Sequence, residues 1–321
     1  MSSHRFEAAL GLVILALGAV LALAAPRFFE PANLADLVLA NLPVLIAAIG
    51  ATLVILIGEI DISVGSTFAV CSVVAGTFAT VGTPMPAVVF GALATGAAIG
   101  AVNGLLVAWL HIPSIVVTLA AMVALRDGLR WITEGAWVQN LPASFQWFGL
   151  TQQAYPLVAV GTAGLLSVLT AWTLRSTRAG RIVFATGSNV EAARLAAIDT
   201  ASVRFSVFVL AGVFTAIAAI VNAVRFTQVP PNTGLGFEMK VIAAVVVGGA
   251  AITGGRGTIV GTVLGTVLLG MSGPALTFLG ASAYWERALQ GGIILAAVAI
   301  QAVSRAKRVD RRRAGASGAT A

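Results

Sequence analysis

The sequence predicts an all-α polytopic membrane protein with about ten transmembrane helices and both termini in the cytoplasm. Of its 321 residues, 59% are hydrophobic and 10% are charged, whereas soluble domains average about 45–50% apolar and 25% charged residues. Several apolar runs reach about 18 residues, a length that crosses a hydrocarbon core of about 30 Å at 1.5 Å per residue. The composition therefore excludes a water-soluble protein.

Ten apolar runs are candidate spans, and charged or glycine-rich segments separate them. The first run also fits a secretory signal peptide, but we expect it to be retained as a helix because it has nearly full spanning length and further spans follow. Four of the runs are short for a full crossing, which predicts broken or re-entrant helices. The runs are 8–25, 37–57, 63–81, 87–110, 112–125, 155–174, 205–224, 239–252, 258–272 and 288–303.

The basic residues predict the orientation, because cytoplasmic loops carry an excess of lysine and arginine. With both termini inside, 13 of the 19 basic residues fall on the cytoplasmic side, most of them in the loop 175–204 and the tail 305–321. The outer basic residues include Arg126 and Lys240, which have acidic neighbours. We therefore assign the net charge of +7 to this bias rather than to nucleic-acid binding. The membrane domain is predicted to be 1–304 and the tail a basic, disordered segment in water or on anionic lipid.

The segment 129–154 is rich in aromatic residues and falls on the outer side. It contains Trp131, Trp137, Trp147 and Phe148, and tryptophan is enriched at the level of the lipid headgroups. The segment is therefore predicted to form an interfacial loop. Membrane anchoring and docking of an extracytoplasmic partner both fit this pattern.

Two carboxylates lie between spanning runs, where each costs about 2.5–3.5 kcal/mol if it reaches the centre of a membrane helix. Glu59, Asp61 and Ser63 alternate with apolar residues, and Gly58 and Gly65 flank them. This period of two predicts an extended break rather than a helix, which is tolerated at membrane depth where it lines a cavity or is buried. We predict a polar strip on a solute pathway, with Asp61 or Ser63 also capping the next helix. The alternative is an ordinary loop at the inner surface.

Four further polar residues in apolar runs are candidates for the same pathway: Ser66, Asn103, Thr118 and Asn222. Hydrogen bonding between helices is a common role for such side chains in membranes, and a threonine can also bond its own backbone. The residues alone leave solute contact and helix packing open.

A short cytoplasmic helix is predicted over 188–198. Ser188 and Glu191 have the spacing of a capping box, with serine at the N-cap. A helix of about ten residues is marginal alone in water, so it must pack against something. A cytoplasmic partner and the chain's own membrane domain are both candidates.

Motifs for covalent chemistry are missing from the sequence. It has two lysines, Lys240 and Lys307, and neither lies in a phosphate-binding G-x-x-x-x-G-K-[ST] loop. Its two histidines and single cysteine, Cys71, form neither a zinc motif nor a disulfide framework. We expect a transport subunit without catalytic residues, metal or cofactor.

Four stretches resemble the permease subunits of bacterial ABC importers for ribose and related sugars, including autoinducer-2 and rhamnose. This resemblance implies the ABC-importer permease fold and a multi-pass protein of the bacterial inner membrane. It also implies a second permease, identical or homologous, a cytoplasmic ATP-binding subunit that hydrolyses ATP, and a periplasmic solute-binding protein. The stretches are GEIDISVGS (58–66), NGLLVAWLHIPSIVVTLAAM (103–122), ATGSNVEAARLAAI (185–198) and GLGFEMKVIAAVVVGGAAITGGRGTIVGTVLG (234–265).

The resemblance also assigns a role to the predicted cytoplasmic helix. The segment 180–200 is similar to the loop through which such permeases are coupled to their ATPase, and the role falls on the helix that Ser188 opens. The matching coupling residues are Glu191, Ala192, Ala193 and Arg194.

The segments 133–145 and 231–240 are most similar to autoinducer-2 permeases, followed by rhamnose and ribose permeases. Three rival functions stay open. The first is a gradient-driven secondary transporter in which Glu59 and Asp61 relay protons, the second is an intramembrane enzyme, and the third is a branched-chain amino-acid permease.

Overall fold

The computed structural model describes residues 3–282 and, beyond them, positions 285, 288, 290–293, 295 and 299. Between its helices lie turns, loops, two short 3-10 turns and one isolated antiparallel bridge, Val138 with Val229. The helices are α1 (Ser3–Ala24), α2 (Pro31–Leu56), α3 (Val64–Thr80), α4 (Met85–Ala108), α5 (Ser114–Thr133), α6 (Tyr155–Ser176), α7 (Arg178–Ser188), α8 (Val190–Leu195), α9 (Thr200–Ala223), α10 (Phe237–Val247) and α11 (Ile259–Phe278).

Six of these helices, α1, α2, α4, α6, α9 and α11, are long and apolar enough to cross a membrane. Helix α3 is apolar but has 17 residues. Nine of the ten predicted runs overlap a described helix, whereas the tenth, 288–303, lies largely outside the described residues, as does the whole tail 305–321. The polytopic helical class is confirmed, and the number of ten spans is not.

Helix α5 extends further than the predicted run 112–125. It continues through Gly128 to Thr133, since no proline intervenes. It ends where Glu134 and Gly135 adopt positive φ angles of 50° and 72°. The predicted outer loop 129–154 therefore begins after Thr133. Arg126, which the charge pattern placed in an outer loop, is instead a buried residue of this helix.

The centre of the bundle is built on close contact between α4 and α9. Gly96, Gly100 and Gly104 recur at every fourth position on α4, and this face lies against Gly212 and Phe208 of α9. A β-carbon on Gly96 would overlap the carbonyl oxygen of Gly212. Small residues therefore set the distance between these two backbones, as is usual where lipid supplies no hydrophobic drive.

The loops collect at two ends of the bundle. At one, which we call the Leu56 end, the Gly255 N–H donates to the Leu56 carbonyl over 2.8 Å. The start of α1 lies at this end too, since the Thr258 hydroxyl donates to Glu7 over 2.5 Å and Phe6 packs on Gly249.

The opposite end, which we call the Phe28 end, holds the remaining long loops. Phe28 packs edge-on against Phe278 with ring centroids 5.6 Å apart, and Val138 and Val229 exchange two hydrogen bonds of 2.9 Å. The distribution of basic residues predicts which loops share a side of the membrane. Loops predicted to share a side lie at the same end of the bundle.

The chain re-enters the bundle between α9 and α10. Val229 lies at the Phe28 end, but Gly234 lies against the carbonyl of Gly65, at the start of α3. Gly234 has φ of 80°, a conformation that favours glycine. From there α10, with 11 residues, covers about 16 Å at 1.5 Å per residue on its way to the Leu56 end. The short α10 and the loop before it fit the broken or re-entrant helices that the short runs predict.

Candidate functional site

The break between α2 and α3 is non-helical from residue 57 to residue 63, as the period of two predicts. Helix α2 ends because Gly58 takes φ of 81°, a left-handed conformation typical of helix C-termini. The N–H groups of Gly58 and Glu59 return to the carbonyls of Ile55 and Val54 over 3.0 and 3.1 Å. The last turn of the helix is thereby satisfied, and the chain is free to extend.

Asp61 is the hub of a buried polar cluster in this break. Its Oδ1 accepts the backbone N–H of Ser63 at 2.8 Å and the Ser63 hydroxyl at 2.6 Å. The Asn103 side chain donates to the Ser63 oxygen at 2.9 Å, and the Ser66 hydroxyl donates to the Ser63 carbonyl at 2.8 Å. Of the two predicted caps for α3, Ser63 makes no capping bond with its side chain, since Asp61 binds it.

The start of α5 closes the cluster from the other side. The Ile60 N–H donates to the Ser114 hydroxyl over 3.2 Å, and the Thr118 hydroxyl reaches the Ile60 carbonyl at 3.3 Å and the Ser114 carbonyl at 2.8 Å. Five of the seven predicted pathway residues thus meet in one cluster, which we call the Asp61 cluster: Asp61, Ser63, Ser66, Asn103 and Thr118. All five are buried, and bonds within the protein offset the cost of that burial.

Glu59 lies outside this cluster. Its Oε1 is 3.1 Å from Nε of Arg204, at the start of α9, and the two side chains are 13% and 18% exposed. Among the predicted pathway residues, Glu59 therefore joins the Leu56 end to α9 as half of an ion pair.

Asn222 also lies apart, at the Phe28 end. It lines a cavity of about 370 Å³ that the re-entrant segment forms with α3 and the loop after α5. Ser72, Trp137 and Thr233 line the same cavity. Sequence reasoning missed Ser72 and Thr233; the turn-forming residues around 230–236 were the signal that a loop re-enters here.

Two charged residues beside the re-entrant segment were also placed wrongly by the sequence. Arg126 is buried and its Nη2 donates to the Gly234 carbonyl over 3.4 Å. The carboxylate of Glu238 lies against Gly65. Arg126 Nη1 and Glu238 Oε2 are buried without a hydrogen-bond partner among the described residues. The charge pattern placed Arg126 in an outer loop because the predicted run ended at residue 125, and it placed Glu238 there because the segment before α10 was not expected to enter the bundle.

The predicted capping box at the Leu56 end is wrong. Ser188 is the last residue of α7, and Asn189 is the N-cap of α8, where its Oδ1 accepts the Ala192 N–H at 3.0 Å. Asn189 has the extended backbone that an N-cap needs, with φ of −162° and ψ of 107°. Serine and asparagine cap equally well, so the outcome depends on where α7 stops. Glu191 instead lies 3.7 Å from Arg194.

Helix α8 buries Ala193, half-buries Val190 and exposes its other side chains. Ala193 is 3% exposed, whereas Leu195 is 90% exposed. The side chain of Glu191 is 81% exposed. The helix ends at Leu195 rather than Ile198, and Ala197 has φ of 58°. Four of the five predicted coupling residues, Ser188, Glu191, Ala192 and Arg194, therefore lie on an exposed surface at the Leu56 end, and Ala193 is buried beneath it.

Backbone contacts connect this surface to the Asp61 cluster. Gly187, near the end of α7, packs directly on the Leu56 carbonyl, and a β-carbon there would overlap it. The same carbonyl accepts the Gly255 N–H. Because Leu56 is the last residue of α2, the end of α7 is in direct contact with the start of the break.

Comparison with known proteins identifies transport relatives. A family model described as "Branched-chain amino acid transport system / permease component" matches residues 33–298. The autoinducer 2 import system permease protein LsrC of Salmonella paratyphi B is 40% identical over 256 residues, 78% of this chain and 72% of the relative. Its counterpart in Yersinia pseudotuberculosis is 37% identical over 285 residues, 88% and 81% of the two chains. No solved structure matches.

Proposed function

We propose a transported solute, an energy source and a membrane orientation for this chain. The premise is that the chain belongs to the family of transport-system permease components, whose model matches its residues 33–298. Within that family it is a permease subunit of an ABC importer for a sugar-like solute. It is accordingly a multi-pass protein of the inner membrane that works with ATP-binding and periplasmic binding partners.

The solute that we propose is autoinducer 2 or a closely related sugar. The relatives that support this choice come from two genera and are 37–40% identical. Ribose and rhamnose are the next candidates. The description of the family names branched-chain amino acids, so an amino-acid permease is the second candidate.

The energy for transport comes from ATP that is hydrolysed on a separate cytoplasmic subunit, and this subunit docks on α8. The observation that carries this proposal is the exposed surface of α8 together with the contact of Gly187 on Leu56. Leu195 supplies an apolar contact for a partner groove, and Glu191 and Arg194 supply charges at its edge.

The proposed orientation puts the Leu56 end in the cytoplasm, with both termini there and a tenth span within 288–303. A second permease, identical or homologous, completes the path. Closure of the ATPase pair would move α7 and α8, and the motion would pass through Leu56 and the Glu59–Arg204 pair into the break and α9. The helices would then open the path alternately to each side.

A gradient-driven transporter is the main rival. A proton relay needs carboxylates that can exchange protons along a path, but Glu59 is paired with Arg204, and Asp61 accepts two bonds from Ser63. Uptake that survives ATP depletion and collapses with an uncoupler would select the rival.

Substitution of the α8 surface tests the coupling. In the reconstituted importer, Glu191→Arg and Leu195→Asp should each abolish ATP-driven uptake while ATP hydrolysis continues. The reason is that the ATP-binding subunit would still hydrolyse ATP but would no longer dock on α8 of the permease. Leu110→Asp serves as the control for Leu195→Asp, since Leu110 is 54% exposed in the loop between α4 and α5 and lies outside α8. Unchanged uptake by both α8 variants would contradict the assignment.

A further inference from the structure

The cavity at the Phe28 end contains a buried hydroxyl that lacks a hydrogen bond. Ser72 is fully buried on α3, and its Oγ has no partner among the described residues. Hydroxyls inside helices usually bond the carbonyl one turn back, and Thr52, Thr118 and Thr215 do so here over 2.7 to 2.9 Å. Leaving a buried hydroxyl unbonded costs about 1–3 kcal/mol, so Ser72 contributes no stabilising hydrogen bond within the described residues and has its bonding capacity free.

The lining of the cavity is polar but uncharged. Ser72, Asn222, Thr227, Gln228 and Thr233 contribute hydroxyl and amide groups, which can both donate and accept. An amino-acid zwitterion would need charged partners for its two ends once water is removed. Hydroxylated neutral solutes match this lining, whereas branched-chain amino acids do not.

Two aromatic rings complete the wall. Trp137 and Phe226 are 47% and 48% exposed and line the cavity beside the polar groups. Aromatic surface next to a few polar groups is the usual composition of small-molecule sites, whose volumes are about 300–1,000 Å³. The volume of about 370 Å³ suits one compact solute.

The walls are fixed mainly by bonds of the backbone. Val138 and Val229 exchange two backbone bonds of 2.9 Å, and the Trp147 N–H donates to the Val224 carbonyl at 2.8 Å. Arg225 donates to the Leu39 carbonyl at 2.9 Å and lies over the ring of Phe226 at 5.7 Å. The cavity is therefore formed before any solute arrives, which lowers the entropic cost of binding.

We propose that this chain binds the transported solute itself, at a site formed by Ser72, Asn222, Thr227, Gln228, Thr233 and Trp137, and that the site accepts neutral, hydroxyl-rich molecules of monosaccharide size. The inference rests on the proposed function, since it names the substrate class and the entry point of the same importer. The Asn222 amide binds the solute and Trp137 covers its apolar face, while the Ser72 hydroxyl, which is closed to water in the unbound structure, becomes a partner when the lining residues shift to admit the solute.

Cysteine protection in the reconstituted importer tests the site. Thr227→Cys places a thiol in the lining, and Thr80→Cys places one at an exposed position near the end of α3 outside the cavity. The wild type gives the background, because its Cys71 is buried. A water-soluble methanethiosulfonate reagent is applied with autoinducer 2, D-ribose, L-rhamnose or L-leucine present.

At a solute concentration of about ten times the Kd, we expect labelling of Thr227→Cys to slow about tenfold, because only about a tenth of the sites stay open. Labelling of Thr80→Cys should not change, and L-leucine should protect neither. Equal labelling with and without all three sugar-like solutes overturns the proposal, and so does protection by L-leucine alone. Uptake measured on the same vesicles separates the two ideas, since uptake without protection refutes the site and leaves the permease function standing.

Tryptophan fluorescence gives a second measurement if the cysteine variant does not fold. The solute-dependent change should disappear in Trp137→Phe and persist in Trp172→Phe, which alters an exposed residue of α6. Ser72→Ala should raise the half-saturating solute concentration about fivefold, equivalent to one neutral hydrogen bond. A fluorescence change that survives Trp137→Phe in full contradicts the assignment.

Discussion

The two non-helical entries into the bundle treat their buried polar groups in opposite ways. In the 57–63 break, Asp61, Ser63 and Ile60 find partners within the protein. Around the re-entrant segment, Ser72, Arg126 and Glu238 each keep a buried polar atom without a partner among the described residues. Satisfied groups hold helices together, whereas unsatisfied ones weaken the fold and need another reason to be there. Whether a buried polar residue has a hydrogen-bond partner therefore distinguishes structural from functional residues more clearly than its polarity does.

Loss of the Asp61 carboxylate should have the largest effect. Asp61→Ala removes the acceptor of two bonds and leaves two Ser63 donors unbonded in a buried site, at a cost of about 3 kcal/mol or more. The yield of folded protein and the uptake should fall together, as measured by fluorescence-detected size-exclusion chromatography and vesicle transport.

Asp61→Asn is the matched variant for this test, because its amide oxygen can still accept both bonds. We expect it to fold nearly normally and to transport. Normal folding without transport in Asp61→Asn would show instead that the charge acts on the solute pathway.

A pair of serine variants should sharpen the comparison. Ser63→Ala removes a hydroxyl that bridges Asp61 and Asn103, and it should destabilise the protein by about 1–2 kcal/mol. Ser72→Ala removes an unbonded hydroxyl and should leave stability unchanged or raise it by up to about 1 kcal/mol. Thermal unfolding in detergent measures both. A similar loss in the two variants would mean that the two regions do not differ.

The Glu59–Arg204 pair should contribute less. Its side chains are 13% and 18% exposed, and the cost of removing both charges from water offsets much of their attraction, so a double-mutant cycle with Glu59→Gln and Arg204→Gln should give a coupling of about 1 kcal/mol. Transport should fall more than stability if the pair carries motion into the break. If the cycle gives a coupling in stability while uptake is unchanged in the variants, the Glu59–Arg204 pair is a structural contact only.

The smallest effect is expected at Asp199, the exposed N-cap of α9. The Ser202 hydroxyl and N–H hold the pKa of this carboxyl below its usual range, and the Ala201 N–H adds to this. A depressed folded pKa contributes stability above the unfolded value of ~4, and the contribution is lost as the pH falls through the folded pKa. The difference in melting temperature between wild type and Asp199→Asn should therefore shrink on acidification. A difference in melting temperature that grows at low pH would contradict a lowered pKa of Asp199.

Much of the fold could be predicted from local pattern. Apolar length marked nine of the helices, and the alternation of Glu59, Asp61 and Ser63 marked the break. The errors came at ends, where local signals compete. Ser188 and Asn189 are equally good caps, and the continuation of α5 past Leu125 depends on what its charged turn packs against.

The candidate site was predictable only in part for a related reason. Asn103 and Thr118 stood out as polar residues in apolar helices, but the sequence could not tell which would meet Asp61. It also gave no sign that Ser72 would lack a partner, because a hydrogen bond between distant segments depends on how the helices are placed.

The sequence by itself determined that this chain is a membrane protein, that it has no G-x-x-x-x-G-K-[ST] loop for ATP hydrolysis, and that a non-helical break separates α2 from α3. These features follow from hydropathy and from glycine, whose effects extend over a few residues at a time. Only the tertiary structure decided which polar groups are satisfied. Gly234 reaches Gly65, and Gly187 reaches Leu56, across more than a hundred residues of chain. Such contacts arise from packing of whole helices, and no local pattern encodes them.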